Sequence, residues 1–194
     1  MSEVEAGGIK AGGFTVRRLD ADEARAAVPE LAEVLIDCVA GGASVSFMAP
    51  LDRDKAVSFW QGVADGVARG ERVLLVAETV GPEQERGIVG TVQVVLAQPE
   101  NQPHRGDVSK LLVHRRARGA GVGAALMAAA EDAARDEGKT LLVLDTASEG
   151  AERLYRRQGW VMVGTVPGYA LWPDGTPCDT VFYYKRVGTG VCSS

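Results

Sequence analysis

Apolar positions along this chain fall into two rhythms. Arg72 to Thr79, Ile88 to Leu96 and Val108 to His114 are short runs dominated by Val, Leu and Ile. Their length and β-branched content mark them as strands, and a Gly81-Pro82 turn and a Pro99 to Gly106 loop between them predict an antiparallel meander. Before the meander, Phe14 to Arg18 reads as a strand. Helical segments follow over Ala21 to Ala40 and Asp52 to Gly70, separated by the loop Gly41 to Pro50. Asp20 and Asp52 are good N-cap types for these segments, and Pro29 breaks or restarts the first. After the meander comes an alanine-rich helix from Gly121 to Glu137, ended by Gly138. A buried-type strand Leu141 to Asp145, a helix Glu149 to Gln158 ended by Gly159, and strands Trp160 to Val166 and Thr180 to Val187 complete the chain.

The order is strand, two helices, three strands, helix, strand, helix, two strands, with no internal repeat or linker. It predicts an α/β fold, a mixed and mainly antiparallel sheet of six to seven strands flanked by helices on both faces. With 194 residues, 46% of them hydrophobic, the chain suits one domain with a sizeable core, expected over 13–187. The small, polar, glycine-rich stretches 1–12 and 188–194 read as disordered tails.

Charge and cysteine content narrow the function classes. A formal net charge of -5 disfavours nucleic acid and acidic membranes as partners, because such binding needs a basic surface, and instead suits a cationic or amine-bearing small molecule. Cys38, Cys178 and Cys192 show no CxxC spacing, so neither a disulfide framework nor a zinc site is expected. His104 and His114 have no metal-ligand partner at helical or strand spacing. Without a signal-peptide profile or an apolar run of about 18 residues, a cytoplasmic location is expected.

The most informative stretch is LLVHRRARGAGVGAALMAAAEDAA, residues 111 to 134. An apolar strand turns through Arg115, Arg116 and Arg118 into a helix starting near Gly121. There the first backbone N–H groups lack intrahelical partners and carry the positive end of the helix dipole. Glycines at 119, 121 and 123 remove the Cβ atoms that would hold a pyrophosphate off the backbone, Arg118 adds a charged donor, and Ala124 and Ala125 allow close packing on the sheet. Gly119, Gly121 and Ala124 also satisfy the dinucleotide pattern G-x-G-x-x-A, with Asp145 ending the next strand. Against that reading, Arg115 to Arg118 intervene between strand and first glycine, and an antiparallel meander does not suit a doubly wound sheet.

Read as R-x-x-G-x-G, Arg118 to Gly123 resembles the acyl-CoA pyrophosphate motif of the GCN5-related N-acetyltransferases. Lys110 to Val113 looks like that family's splayed central strand. A second signature, AERLYRRQGW over Ala151 to Trp160, is similar to the family's A-x-x-L-Y-x-x-x-G-F/W helix. The likeness covers roughly residues 14 to 187. GGASVSFM at 41 to 48, LDT at 144 to 146 and PGYALWPDG at 167 to 175 look like the tabtoxin resistance protein-like branch of the family, although the loop after Asp145 is one residue shorter here.

The resemblance implies an N-acetyltransferase that uses acetyl-CoA and no metal. It also implies a small-molecule amine as acceptor, an antibiotic or toxin whose acetylation gives resistance or self-protection. A protein or polyamine amine, or a CoA sensor without turnover, are the alternatives, and the state is monomer or homodimer. The implied donor site is Leu111, Leu112, Val113, Arg118, Gly119, Ala120, Gly121, Val122, Gly123 and Ala124, with the Leu112 or Val113 N–H on the acyl carbonyl. Tyr155 would lie near the CoA sulfur as general acid. Asp145, ending its strand beside the donor, is either general base or orienter of the substrate ammonium, or else it caps the turn at Thr146 and Ala147. Ser44, Ser46, Trp60, Gln93 and Tyr169 are expected to line the amine site. Glu131 and Asp132 are expected on an exposed helix face.

Overall fold

The computed structural model describes residues 9–11, 13–79 and 87–188. The expected Gly81-Pro82 turn, Cys192 and most of both tails lie outside the described residues. Inside the expected N-terminal tail, however, Ile9–Ala11 forms a short strand, β1, paired antiparallel with β2 (Phe14–Leu19). This edge strand brings the sheet to eight strands, one beyond the six to seven expected.

Three helices follow β2. Asp20 caps α1 (Ala21–Ala26) through a reciprocal capping box with Glu23. Ala27 interrupts what the sequence predicts as one segment, and α2 (Val28–Ala40) restarts with Pro29 in its first turn, where a missing N–H costs nothing. Asp52 caps α3 (Arg53–Ala68) by accepting from the Asp54 and Lys55 N–H groups. The meander is β3 (Arg72–Thr79), β4 (Ile88–Leu96) and β5 (Arg105–Val113). The last begins three residues earlier than the apolar run, because pairing continues past Val108 to Gly106. A 3-10 turn (Arg115–Ala117) leads to α4 (Val122–Asp136), then β6 (Leu141–Thr146), α5 (Glu149–Arg157), β7 (Val161–Leu171) and β8 (Pro177–Arg186).

The strands lie in the order β1-β2-β3-β4-β5-β6-β8-β7, and only β5 and β6 run parallel. Side chains alternate between two cores. Val73, Leu75 and Ala77 face α4 and α5, whereas Leu74 and Val76 face α1, α2 and α3. Burial on both faces explains why these strands read as continuous apolar runs.

Two expectations are corrected here. β7 continues to Leu171, well past Val166, because register shifts in its pairing with β8 accommodate Pro167 and Gly168. Gly168 takes φ +61 and donates its N–H to Asp179 Oδ1. Glu131 is not surface: it is 6% exposed and accepts from Trp160 Nε1 at 3.1 Å and Lys185 Nζ at 2.7 Å. Four-residue spacing cannot separate such a partnered carboxylate from its exposed neighbour Asp132. Among the described residues, no helix is long and apolar enough to cross a membrane.

Candidate active site

The site begins as a failure of strand pairing. β5 and β6 pair only at Arg105 with Leu141, Gly106 with Leu142 and Asp107 with Val143, and beyond these residues they diverge. On the other edge of β5, its register with β4 shifts between Thr91 and Gln93, which inserts a bulge where Lys110 takes φ +53. The bend opens a cleft of about 1540 Å³, larger than the roughly 300–1,000 Å³ of ordinary small-molecule pockets. Val108 to Val113 form one wall and Asp145 to Ala151 the other. The loop residues Gly41 to Met48 and the Tyr169 to Trp172 stretch close one end.

The peptide groups of the first wall are directed by strand alternation. The His114 N–H donates to Val89 of β4 at 2.8 Å, and Leu112 pairs with Thr91. The Leu112 N–H therefore turns toward β4, and those of Val113 and Leu111 turn to the unpaired edge. Of the two amides expected to serve the acyl carbonyl, geometry favours Val113.

At the end of this wall, Gly119 and Gly121 adopt φ +79 and +85, conformations that side-chain-bearing residues avoid. Gly121 caps α4 with no side-chain hydrogen bond, and the first helical bond runs from the Ala125 N–H to the Gly121 carbonyl. The N–H groups of Val122, Gly123 and Ala124 are left without intrahelical acceptors. A Cβ at Gly119 or Gly121 would meet open space, so the turn faces the cleft uncovered by protein. These residues fit a diphosphate. Arg118 also lines the cleft, its Nε donating to the Val113 carbonyl at 3.2 Å. Ala120 lies on the exposed turn, outside the cleft wall.

The second wall carries the titratable groups. Tyr155 is 5% exposed, packs on Trp160 and Tyr183, and reaches the cleft. Burial, with smaller contributions from Asp145 and Tyr183, pushes its phenol well above the usual tyrosine range, so it stays protonated. Asp145 opens to the same cleft. Desolvation raises its pKa, the Lys110 ammonium opposes this and Asp107 reinforces it. Capping is excluded as its role, since the turn is closed by Thr146 Oγ1 accepting from the Ser148 N–H at 3.0 Å, and Ser148 caps α5.

Of the residues expected around the amine, Ser44, Ser46 and Tyr169 line the cleft, and Trp60 and Gln93 do not. Trp60 is 0% exposed in the core beneath α1 to α3, against the Phe59 ring. Gln93 is buried on β4, accepting from Arg72 Nη1 at 3.0 Å. His114 accepts from the Arg116 N–H through Nδ1 and faces Asp37 at 3.6 Å, a turn-stabilising position outside the cleft. Lys110 was missed as a site residue. Its signal was a single cation inside an otherwise apolar strand segment.

The class defined by this cleft is a binder of an extended, diphosphate-bearing acyl donor on a split mixed sheet. The acetyltransferase (GNAT) family model matches residues 51–160, more than half of the chain, and the chain belongs to that family of enzymes. Its fold is shared with several solved structures. An acetyltransferase from Salmonella typhimurium, solved with its cofactor acetyl-CoA, is 19% identical with a TM-score of 0.73, covering 94% of this chain and 98% of its own. The ribosomal-protein-alanine N-acetyltransferase of Brucella melitensis is 24% identical with a TM-score of 0.70, covering 88% and 98%. A phosphinothricin acetyltransferase from Sinorhizobium meliloti, in complex with acetyl-CoA, is 17% identical with a TM-score of 0.72, covering 94% and 92%.

Proposed function

We propose that this enzyme, a single cytoplasmic domain over 13–187, transfers the acetyl group of acetyl-CoA to the amine of a small antibiotic or toxin, conferring resistance or self-protection. The observation that carries the reading is the meeting of uncovered α4 amides, Tyr155 and Asp145 in one cleft. Bound there, acetyl-CoA supplies an activated thioester. The amides of Val122, Gly123 and Ala124, with Arg118, hold its diphosphate, and the Val113 N–H polarises the acetyl carbonyl. Asp145, directly or through water, takes a proton from the acceptor as its nitrogen bonds to the acetyl carbon. The carbon–sulfur bond then breaks, and Tyr155 donates its proton to the departing thiolate. The products are an amide and CoA thiol.

The Gly41 to Met48 loop supports a small acceptor. Ser44 Oγ donates to the Leu171 carbonyl at 2.9 Å and the Ala49 N–H to the Pro173 carbonyl at 3.0 Å, so the loop is tied to the β7–β8 hairpin. A loop held in place over this end favours a small acceptor over a protein surface. The relatives' names point both ways, to a protein alanine and to phosphinothricin, and the tied loop supports the small acceptor. GGASVSFM, LDT and PGYALWPDG meet around this end, which supports kinship with tabtoxin resistance protein-like enzymes.

A panel of small amines, polyamines and peptide N-termini, assayed by thiol release from acetyl-CoA, tests the reading. Release with small amines above background hydrolysis is expected. Release with peptides or polyamines alone defeats the small-acceptor assignment, and acetyl-CoA binding without release from any amine points to a sensor.

A further inference from the structure

Among the described residues, the two non-glycine positions with positive φ are Ser46, at +76, and Lys110, at +53. Residues with a Cβ avoid this region, and where they adopt it the surrounding structure holds them there for a reason. These two are 64 positions apart, one on the acceptor-end loop and the other at the β5 bulge. Their side chains meet: Lys110 Nζ donates to Ser46 Oγ at 3.1 Å, at the cleft surface.

The ammonium has a half-apolar setting. It lies 5.7 Å from the Phe59 ring centroid, and burial lowers its pKa. An ammonium carries three donors, and Ser46 occupies one. No carboxylate among the described residues comes within 4.0 Å of it. Asp145 on the opposite wall feels its charge but forms no salt bridge with it. Arg118, Arg153, Arg157 and Glu149 also line the cleft, but Lys110 and Asp145 are the pair whose charges act on one another across it without forming a salt bridge. A half-buried charge in such a position is stabilised by a ligand of opposite sign.

We infer that Lys110 and Ser46 form a carboxylate-binding subsite, and that the acetyl acceptor is an amine that also bears a free carboxylate, of the amino-acid class. The acceptor's carboxylate meets the Lys110 ammonium and the Ser46 hydroxyl, and its amine meets Asp145 from the other side. The Phe59 ring beside the ammonium displaces water there, which strengthens the charged contact. This assignment rests on the transferase reading above and narrows its substrate class.

The test sets each standard L-amino acid against its own α-amide, with thiol release from acetyl-CoA as readout. The wild type is expected to prefer the acids by about tenfold or more in kcat/KM, the size of one charge-assisted hydrogen bond. Lys110→Met should bring the two to within about threefold of each other while leaving acetyl-CoA affinity and thermal unfolding in place, and Lys110→Arg should restore part of the preference. Equal use of amides and acids by the wild type overturns the inference. So does an equal loss on both in Lys110→Met, which would make Lys110 only a clasp for the loop, or a fall in acetyl-CoA affinity, which would assign it to the donor. Thiol release with spermidine but with no amino acid overturns the subsite and leaves the transferase standing. Absence of release with any amine removes the transferase reading itself.

Discussion

The two walls of the cleft are built from different groups. The β5 and α4 wall presents mainly main chain to it: the outward Val113 peptide, two left-handed glycines and a helix start with no side-chain cap. The β6, α5 and β7 wall presents side chains to it: Asp145, Tyr155 and Tyr169. Backbone donors offer the same chemistry in any chain that forms the turn, so the first wall suits a cosubstrate common to many enzymes. Side chains differ from chain to chain, so the proposed function assigns reaction and acceptor to the second wall and the end of the cleft. Glu131 joins the two, anchoring α4 to Lys185 on β8 and to Trp160 beyond α5.

The sharpest way to separate the walls is Tyr155→Phe. Loss of the phenolic proton should lower kcat by about 10²–10⁴-fold, the usual contribution of a positioned acid, without moving acetyl-CoA affinity. The ring packing on Trp160 and Tyr183 survives the substitution, so the fold should hold. Titration calorimetry with acetyl-CoA and single-turnover kinetics measure the two quantities. Turnover within threefold of wild type would move the chemistry off this wall.

The converse change is Arg118→Glu. It should weaken acetyl-CoA by about 10–100-fold, since a charge-assisted donor is replaced by a repelling carboxylate, and leave the maximal rate at saturating donor nearly unchanged. Unaltered affinity would show that the diphosphate is held elsewhere. With both variants in hand, a clean split of affinity from rate supports the division of labour, and mixed effects in both would dissolve it.

The difference between the walls also decided what could be read from the sequence. A glycine at positive φ and a helix lacking a side-chain cap leave a local signature, so the turn from Arg118 into α4 was legible within a dozen residues. The strands β3 and β4, buried on both faces, were bounded to the residue. Side-chain walls are assembled from distant segments. Nothing local distinguishes Trp60, wholly buried in the core, from a cleft aromatic, or Gln93, paired with Arg72, from a substrate ligand. β7 was truncated for a related reason: Pro167 and Gly168 signal a turn unless a partner strand absorbs them in bulges. Lys110 heads the apolar strand segment Lys110 to Val113. Its meaning came only with the bulge that turns it toward Ser46.

The smallest expected effect concerns pH and tests Asp145 within the second wall. Desolvation raises its pKa, with Lys110 opposing and Asp107 adding, so the carboxylate forms at a higher pH than an ordinary aspartate. Because a proton acceptor must be ionised, kcat/KM should climb with pH through an acidic limb displaced upward from the usual carboxylate range. A second, more alkaline rise belongs to the acceptor amine. Asp145→Asn should abolish the lower limb and reduce the plateau. Stability has the opposite sign. A folded-state pKa above the unfolded value favours the protonated native form, so the ionised side chain costs stability as pH rises through that window. At pH 7 the Asn variant should therefore unfold at the same temperature as wild type or slightly higher. A limb that survives in Asp145→Asn, or a variant that is markedly less stable at pH 7, would make Asp145 a structural strand-end residue and leave proton removal to water or to another group.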